Sequence, residues 1–335
     1  MDITYERNVE HCEPTTYARV LGIAAVEPAL NSDNLDSISL DSVLWRAIAQ
    51  RGKYKPGDRV MFIPPETVLP LELSELIGVT KFLSKGKVKA IRLRGNRSEG
   101  LIVDADIVEP FIPYLMQWET PMSQGMFGMM MKNADVPYMF HIFYKIPNLM
   151  NVPDELVVGE RIGYSEKIHG TNCRFGILPH PGTGEYQLYV GTHKTVRKSE
   201  GKCLYWKAVE KHVPIDKLPN DTIFYGEIYG KGVQDLHYDV VVPQIKIFAI
   251  VQNGNYLPPF RVTEICDQVG LDCVKFHYAT YESPEWAMEL SDSPSEVWSG
   301  MREGIVIVAD DNPHRMVKVV SLKYLNRGGR KTEGH

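Results

Sequence analysis

Between residues 15 and 110 the apolar positions alternate or cluster in short β-branched runs, "YARVLGIAAV", "DRVMFIPP", "VKAIRLRG" and "SEGLIVD". Turn signals such as "KPGD" and "RGNRS" separate them, so each run predicts a strand. The stretch "DSVLWRAIAQRG", residues 41–52, has apolar spacing that suits an amphipathic helix. A β-rich module of about 100 residues predicts an OB-like barrel over residues 1–110, a fold whose open face commonly binds nucleic acid. From 111 to 153 the chain is rich in Pro and Met and keeps no period, which predicts an inter-domain connection at 111–137. Its methionines suit either a packed junction or an adaptable interface. Beyond Asp154 the strand pattern returns in "ERIGYSEKI", "NCRFGIL", "QLYVGTHK", "TIFYGEIYG", "IKIFAIV", "GIVIVAD" and "MVKVVSLKYL", with a helix expected at "KCLYWKAVEKHV". Many antiparallel strands with few helices predict an α+β domain over 138–335.

Composition adds limits. The chain has 335 residues, 44% of them apolar, enough for two domains with packed cores. A formal net charge of −5 excludes a surface that is basic throughout, but the positive charge is clustered. "KFLSKGKVKAIRLRGNR", from Lys81 to Arg97, holds seven basic residues and no acid, and "KVVSLKYLNRGGRK" near the carboxyl end is also purely basic. Like charges so crowded repel one another unless an anion neutralises them, which predicts nucleic-acid contact, although a merely solvated strand face has the same composition. Cys12, Cys173, Cys203, Cys266 and Cys273 form no C-x-x-C pair, so reduced thiols are expected rather than zinc or disulfides. The amino-terminal stretch has no basic-then-apolar leader and no apolar run reaches the length of a membrane helix. An intracellular, cytoplasmic monomer with no membrane contact is the expectation.

The stretch "YSEKIHGTN", residues 164–172, carries the candidate chemistry. A free lysine has a pKa near 10.4, so about one amine in a thousand is neutral at pH 7.4. Lys167 at a strand end, beside a Gly-Thr turn, is either an activated nucleophile or one more solvated surface lysine.

The order of further segments bears on that choice. "EKIHGTN" at 166 is followed by "FYGEIYG" at 224, "IKIFAI" at 245, "REGIVIV" at 302 and "VKVVSLKY" at 317. This succession resembles the covalent nucleotidyltransferases, the superfamily of polynucleotide ligases and messenger-RNA capping enzymes, whose domain is an antiparallel-sheet fold unrelated to ATP-grasp. A lone K-x-x-G is a weak signal; five segments in order are a specific one. "KIHGTN", with histidine where aspartate is usual, resembles RNA ligases of the phage T4 second type. A barrel-like module ahead of Lys167, with about a dozen residues after Lys323, resembles the Deinococcus-type RNA ligases, the fifth RNA ligase group. The resemblance spans nearly the whole chain and is most specific from 138 to 325, making 138–335 an adenylyltransferase domain.

The resemblance implies an ATP-dependent RNA ligase that seals 5′-phosphate and 3′-hydroxyl ends in nicked duplexes, with ATP as AMP donor and Mg2+ or Mn2+ as cofactor. Lys167 would carry AMP, with Glu166, His169 and Gly170 beside it in the first motif. Glu227 and Glu303 would hold the metal or its waters, Glu227 alternatively the ribose hydroxyls. Phe248 would face the adenine, although ordinary sheet core explains an aromatic there equally. Lys318 and Lys323 would contact phosphates, and Val320 stands where a second lysine is usual. One of His193, Lys194 and Arg197 in "GTHKTVRK" would grip a phosphate, with Arg197 preferred. His169 is as readily a structural histidine, and His237 and His277 show no metal spacing.

"SEGLIV" at 98 mimics "REGIVIV" at 302, but Glu99 precedes the third motif, so a structural role is expected for it. Other readings stay open: a DNA ligase, a capping guanylyltransferase, or a catalytically silent RNA-binding module.

Overall fold

The computed structural model describes residues 13–14, 18–83, 86–117, 135–199 and 203–327. The chain divides into two compact units. One holds the described residues up to 117 together with Met150–Pro153 and 325–327, and the other holds 135–149 and 154–324.

In the first unit β1 (Arg19–Pro28), β2 (Leu35–Leu40), β3 (Arg46–Gln50), β4 (Arg59–Ile63) and β7 (Leu101–Asp104) form one antiparallel sheet in the order β3-β2-β1-β4-β7. The sheet nearly closes on itself. Met61, Ile63, Leu69, Leu73, Val88 and Val103 share its core. Strands β5 (Ala90–Leu93) and β6 (Asn96–Glu99) make a separate hairpin.

Two expectations change here. Residues 41–52 are not a helix: a turn leads into β3, which pairs with β2 from Leu35↔Gln50 to Ser39↔Arg46. Apolar spacing at 43–49 fits either element, and the decision falls to long-range partners. Trp45 is buried and its indole donates to Asn151 Oδ1 at 2.6 Å, while Ala47 is buried beside Ile38. The basic run 81–97 is partly neutralised by acids that lie outside its own span. Lys87 pairs with Glu66 at 2.7 Å, and Arg97 makes a two-pronged pair with Glu99 at 2.6 and 2.7 Å. Glu99, 1% exposed, also accepts the Arg46 N–H, which gives this decoy a structural role.

The second unit stacks two sheets. Six strands run in the order β11-β10-β9-β12-β13-β14: β9 (Thr171–Pro179), β10 (Tyr186–Thr192), β11 (Val196–Arg197), β12 (Thr222–Tyr229), β13 (Gln244–Gln252) and β14 (Asn255–Tyr256). Four more run β15-β8-β16-β17: β8 (Arg161–Glu166), β15 (His277–Thr280), β16 (Gly304–Ala309) and β17 (Asn312–Val320). Every pairing in both is antiparallel.

The larger sheet buries a core on each face, as its strand alternation requires. On one face Cys173, Phe175, Phe224 and Ile247 pack against α1 (Leu204–His212) and α2 (Pro259–Val269). Helix α1 is the helix expected from sequence. Tyr205, Trp206, Ala208 and Val209 form its buried side, and Lys211 and His212 sit in its last turn, where positive charge opposes the helix dipole. On the other face Leu178, Tyr225, Ala249 and Val251 meet Val308 and Met316 of the smaller sheet and Phe140 and Phe143 of the incoming segment. The four described cysteines are free, and no described helix is long and apolar enough to cross a membrane.

Candidate functional site

Residues Lys167–Gly170 carry the chain from the end of β8, in the smaller sheet, to the start of β9, in the larger one. The crossing is tight. The Lys167 N–H donates to Gly304 O at 2.9 Å, tying the segment to the start of β16. At Gly170 an added Cβ would lie 2.1 Å from Ile228 O and 3.0 Å from Glu227 Cγ, so the backbone can pass β12 only without a side chain. Gly304, with φ +157° and 2.1 Å between an added Cβ and Val319 O, meets the same demand on the opposite side.

This crossing puts Lys167 between two carboxylates supplied by different sheets. Glu303 precedes β16, and its Oε2 accepts from Lys167 Nζ at 2.8 Å. Glu227 projects from β12, accepts the Gly170 N–H and interacts electrostatically with both Lys167 and Glu303. Burial alone would push the Lys167 ammonium down, but Glu303 and Glu227 outweigh it and its pKa is raised. The resting lysine is therefore charged. Burial pushes Glu227 up to about 8, with Lys167 opposing and Glu303 reinforcing the shift. Glu303, also subject to burial, is drawn down to about 2 by Lys167 and His169. Two carboxylates around one ammonium thus divide the work: Glu303 stays ionised and Glu227 takes a proton near neutrality.

His169 lies beside this pair. Its Nδ1 is 3.4 Å from Glu303 Oε2 and 2.8 Å from the Tyr324 hydroxyl, its Nε2 is 2.8 Å from Asp235 Oδ1, and its N–H donates to the Tyr238 hydroxyl at 2.7 Å. The ring is fixed by partners drawn from positions 235 to 324.

The remaining candidates are disposed unequally. Phe248 is half-buried, edge-on to Phe143 at 5.1 Å, and packs beside Ile168 and Tyr238. Lys318 is half-buried opposite Val306, and its N–H donates to Pro147 O at 2.9 Å. Val320 ends β17 opposite Gly304. Lys323 is exposed and its Nζ donates to the Asp292 carbonyl at 2.8 Å. The Glu166 carboxylate is turned away from Lys167 and accepts from Ser295 Oγ at 2.7 Å and from the Glu296 N–H at 2.6 Å. Arg197, 1% exposed, holds its guanidinium 5.7 Å from the Tyr205 ring centre, and the Tyr205 hydroxyl lies 3.0 Å from Thr171 Oγ1. His193 accepts through its carbonyl from Arg174, and Lys194 is exposed on the turn between β10 and β11. His237 is exposed, and His277 pairs with Glu296.

Sequence reasoning overlooked four residues here. Asn172 stands opposite Glu227, and its Oδ1 is buried with no hydrogen-bond partner among the described residues. It belongs to "KIHGTN" itself, so strand alternation from Thr171 was the available signal. Asp235, Tyr238 and Tyr324 reach His169 from a loop and a short helix, and nothing local marks them.

With this geometry in place, the RNA ligase family profile matches residues 160–324. That segment contains every residue around Lys167 described above.

Residues 160–324 are therefore similar in sequence to the RNA ligase family.

No curated protein matches the chain. Solved structures of a Naegleria gruberi RNA ligase resemble it closely in fold. An apo mutant of that ligase has a TM-score of 0.79 at 17% identity, covering 93% of this chain and 98% of the other. A mutant with ATP and Mn matches at 0.79 and 17%, over 92% and 98%, and one with AMP and Mn at 0.78 and 17%, over 92% and 98%. The likeness in fold therefore extends beyond residues 160–324 to nearly the full chain.

Among the described residues no group of three or more His, Cys, Asp or Glu side chains could hold a metal ion alone. The site instead offers two converging oxygen donors, Glu227 and Glu303. That set fits a hard divalent cation that takes its other ligands from water and substrate phosphates, as Mg2+ commonly does.

Proposed function

We propose that this chain is an ATP-dependent RNA ligase joining 5′-phosphate to 3′-hydroxyl ends through a covalent lysyl-AMP, in the manner of the Deinococcus-type ligases and with RNA nicks in duplexes as its substrate. The observation that carries the reading is the position of Lys167 Nζ between Glu303 and Glu227, one carboxylate from each sheet, inside the segment that matches the RNA ligase family. An RNA-binding module without catalysis has no need to bring a largely buried lysine and two carboxylates together.

In the first step the Lys167 ammonium, with ATP and the cation's positive charge beside it, first loses a proton to solvent, and the neutral amine attacks the α-phosphorus of ATP. The N–P bond forms, the bond to the bridging oxygen breaks, pyrophosphate leaves, and a second amine proton passes to solvent. A 5′-phosphate oxygen of the RNA then attacks the same phosphorus, and Lys167 departs with a proton, leaving AMP joined to the RNA end. Finally the 3′-hydroxyl attacks the RNA phosphate, a phosphodiester forms and AMP leaves. Each step is a displacement at phosphorus, so positioning and charge neutralisation supply most of the rate.

Glu227 and Glu303 would hold a divalent cation, which when bound supplies Lewis acidity at the phosphate and positive charge beside the lysine. Glu303 keeps Lys167 aimed and charged until substrate arrives. Phe248 offers a ring for the adenine, Lys318 and Arg197 offer cations for phosphates, and Asn172 offers an unused acceptor for a ribose hydroxyl. The first unit, read as an OB-like module, supplies the surface for the RNA.

Incubation with labelled ATP and Mn2+ should yield AMP-labelled protein, and labelled GTP should not. Addition of a nicked duplex should then discharge the label and seal the strand, faster with RNA than with DNA at the 3′-hydroxyl. Labelling by GTP would favour a capping enzyme, and indifference to the sugar would favour a DNA ligase.

A further inference from the structure

The basic run of the first unit divides sharply in the structure. Lys87 and Arg97 are neutralised by Glu66 and Glu99. Lys81, Lys89, Arg92 and Arg94 are exposed, and among the described residues no ion pair joins any of them to a carboxylate. Three of these four lie on or beside the β5–β6 hairpin.

Three features mark the hairpin as more than a solvated edge. Arg92 stands directly opposite Arg97, and like charges so placed are destabilising unless neutralised. Glu99, on the same face, is already held by both Nε and Nη2 of Arg97. Arg92 is left with a 3.4 Å contact to Gly95 O.

The turn itself is Arg94-Gly95, with φ of +50° and +89°, as a two-residue primed turn requires. Asn or Gly is favoured at its first position, and an ordinary side chain there costs roughly 1 kcal/mol. The chain accepts that cost with an arginine, which sets a cation at the tip of the hairpin. Its only described contact, to Asn31 O, is long at 3.5 Å.

Apolar side chains accompany these charges. Ile91 and Leu93 are 38% and 36% exposed, on the strand face that alternates with Arg92, and Lys89 shares their parity. Arg92 lies on the other face, directly opposite Arg97, so each face of the hairpin presents a cation, and Arg94 adds one at the tip. The second strand of the hairpin is anchored: Asn96 and Ser98 are buried, and the Asn96 side chain bonds Leu30 N and O at 2.8 and 2.7 Å. A held base with a charged, exposed edge is the arrangement of a docking element.

We propose that the Ala90–Glu99 hairpin docks the RNA backbone, gripping phosphates through Arg92 and through Arg94 at its tip. The choice of RNA rests on the ligase reading above; the presence of a polyanion site rests on the hairpin alone.

The test is equilibrium binding of a fluorescent nicked RNA duplex to the full chain across a salt series. Removing one phosphate-binding cation should reduce the slope of log K against log salt by about 0.9, so R92A/R94A should flatten it by about 1.8. At low salt that variant should bind at least tenfold more weakly, while R92K/R94K keeps the wild-type slope. All variants should label with ATP as wild type does. A control, K207A/K211A on α1, should change nothing.

An unchanged slope in R92A/R94A would overturn the proposal. So would an equal loss in the control, which would mean that charge anywhere suffices, or retention on phosphatidylserine vesicles with no RNA binding. Failure of wild type to label with ATP would instead count against the ligase reading and leave the binding result to stand by itself.

Discussion

Lys167 Nζ and Glu303 Oε2, 136 positions apart in the chain, meet at 2.8 Å. The contact exists because β8 and β16 are neighbours in the smaller sheet, with Glu166 opposite Ile305. If this lysine carries AMP, Lys167→Met should abolish labelling by radioactive ATP while leaving the melting temperature within a few degrees of wild type. Gel autoradiography with a parallel thermal melt decides it, and full labelling of the mutant would remove the assignment.

Replacing Glu303 should reveal what the pair is for. Glu303→Gln keeps the shape but not the charge, and its loss of electrostatic positioning should lower the labelling rate by about a hundredfold or more. Initial rates at saturating ATP measure it, and a rate within twofold of wild type would make Glu303 a bystander.

Glu227 has an unusual consequence for stability. Its folded pKa is raised to about 8, against an ordinary carboxyl value near 4.5. Between those values the folded chain binds the extra proton, so stability is lost as pH rises through that window. Glu227→Gln removes this loss. The variant should therefore gain on wild type between pH 5 and pH 8.5, by about 4 kcal/mol at most, although it loses activity. Urea unfolding at the two pH values provides the comparison; a constant difference would refute it.

Gly170 makes a steric prediction. Gly170→Ala places a carbon 2.1 Å from a β12 carbonyl, and backbone on both sides resists movement. A loss of about 3 kcal/mol or more is expected from overpacking and displaced hydrogen bonds, together with loss of labelling. A mutant that melts like wild type would show that the crossing can relax.

Glu166 separates support from contact. Glu166→Ala would leave the Glu296 N–H and Ser295 hydroxyl without their acceptor, at a cost of about 1–3 kcal/mol. Glu166→Gln can still accept from one and donate to the other, so it should melt close to wild type and label normally. Strong impairment of labelling by the Gln variant at unchanged stability would instead put the carboxylate itself in the site.

What could be read from the chain before folding followed from local order. The short apolar runs marked many of the strands of both units, the segment Lys202–Val213 held α1 as expected, and the ordered segments contain Glu227 and Glu303, whose carboxylates act on Lys167. Local order failed where two elements share one pattern. The apolar spacing of residues 43–49 suited a helix, and pairing with β2 together with the Trp45–Asn151 bond made it a strand. It failed also for charge, because Glu66 and Glu99 neutralise part of a run that holds no acid within its own span. Asp235, Tyr238 and Tyr324 escaped notice for a related reason: each bonds His169 from more than 60 positions away.

The sequence alone therefore determined which side chains were available and which elements they ride on, since strand alternation and turn chemistry are properties of neighbouring residues. Tertiary structure decided which charges face one another. Electrostatic and hydrogen-bond energies depend on distance in space, and only the stacking of two sheets across the Lys167–Gly170 crossing brings Glu227 and Glu303 to the same amine.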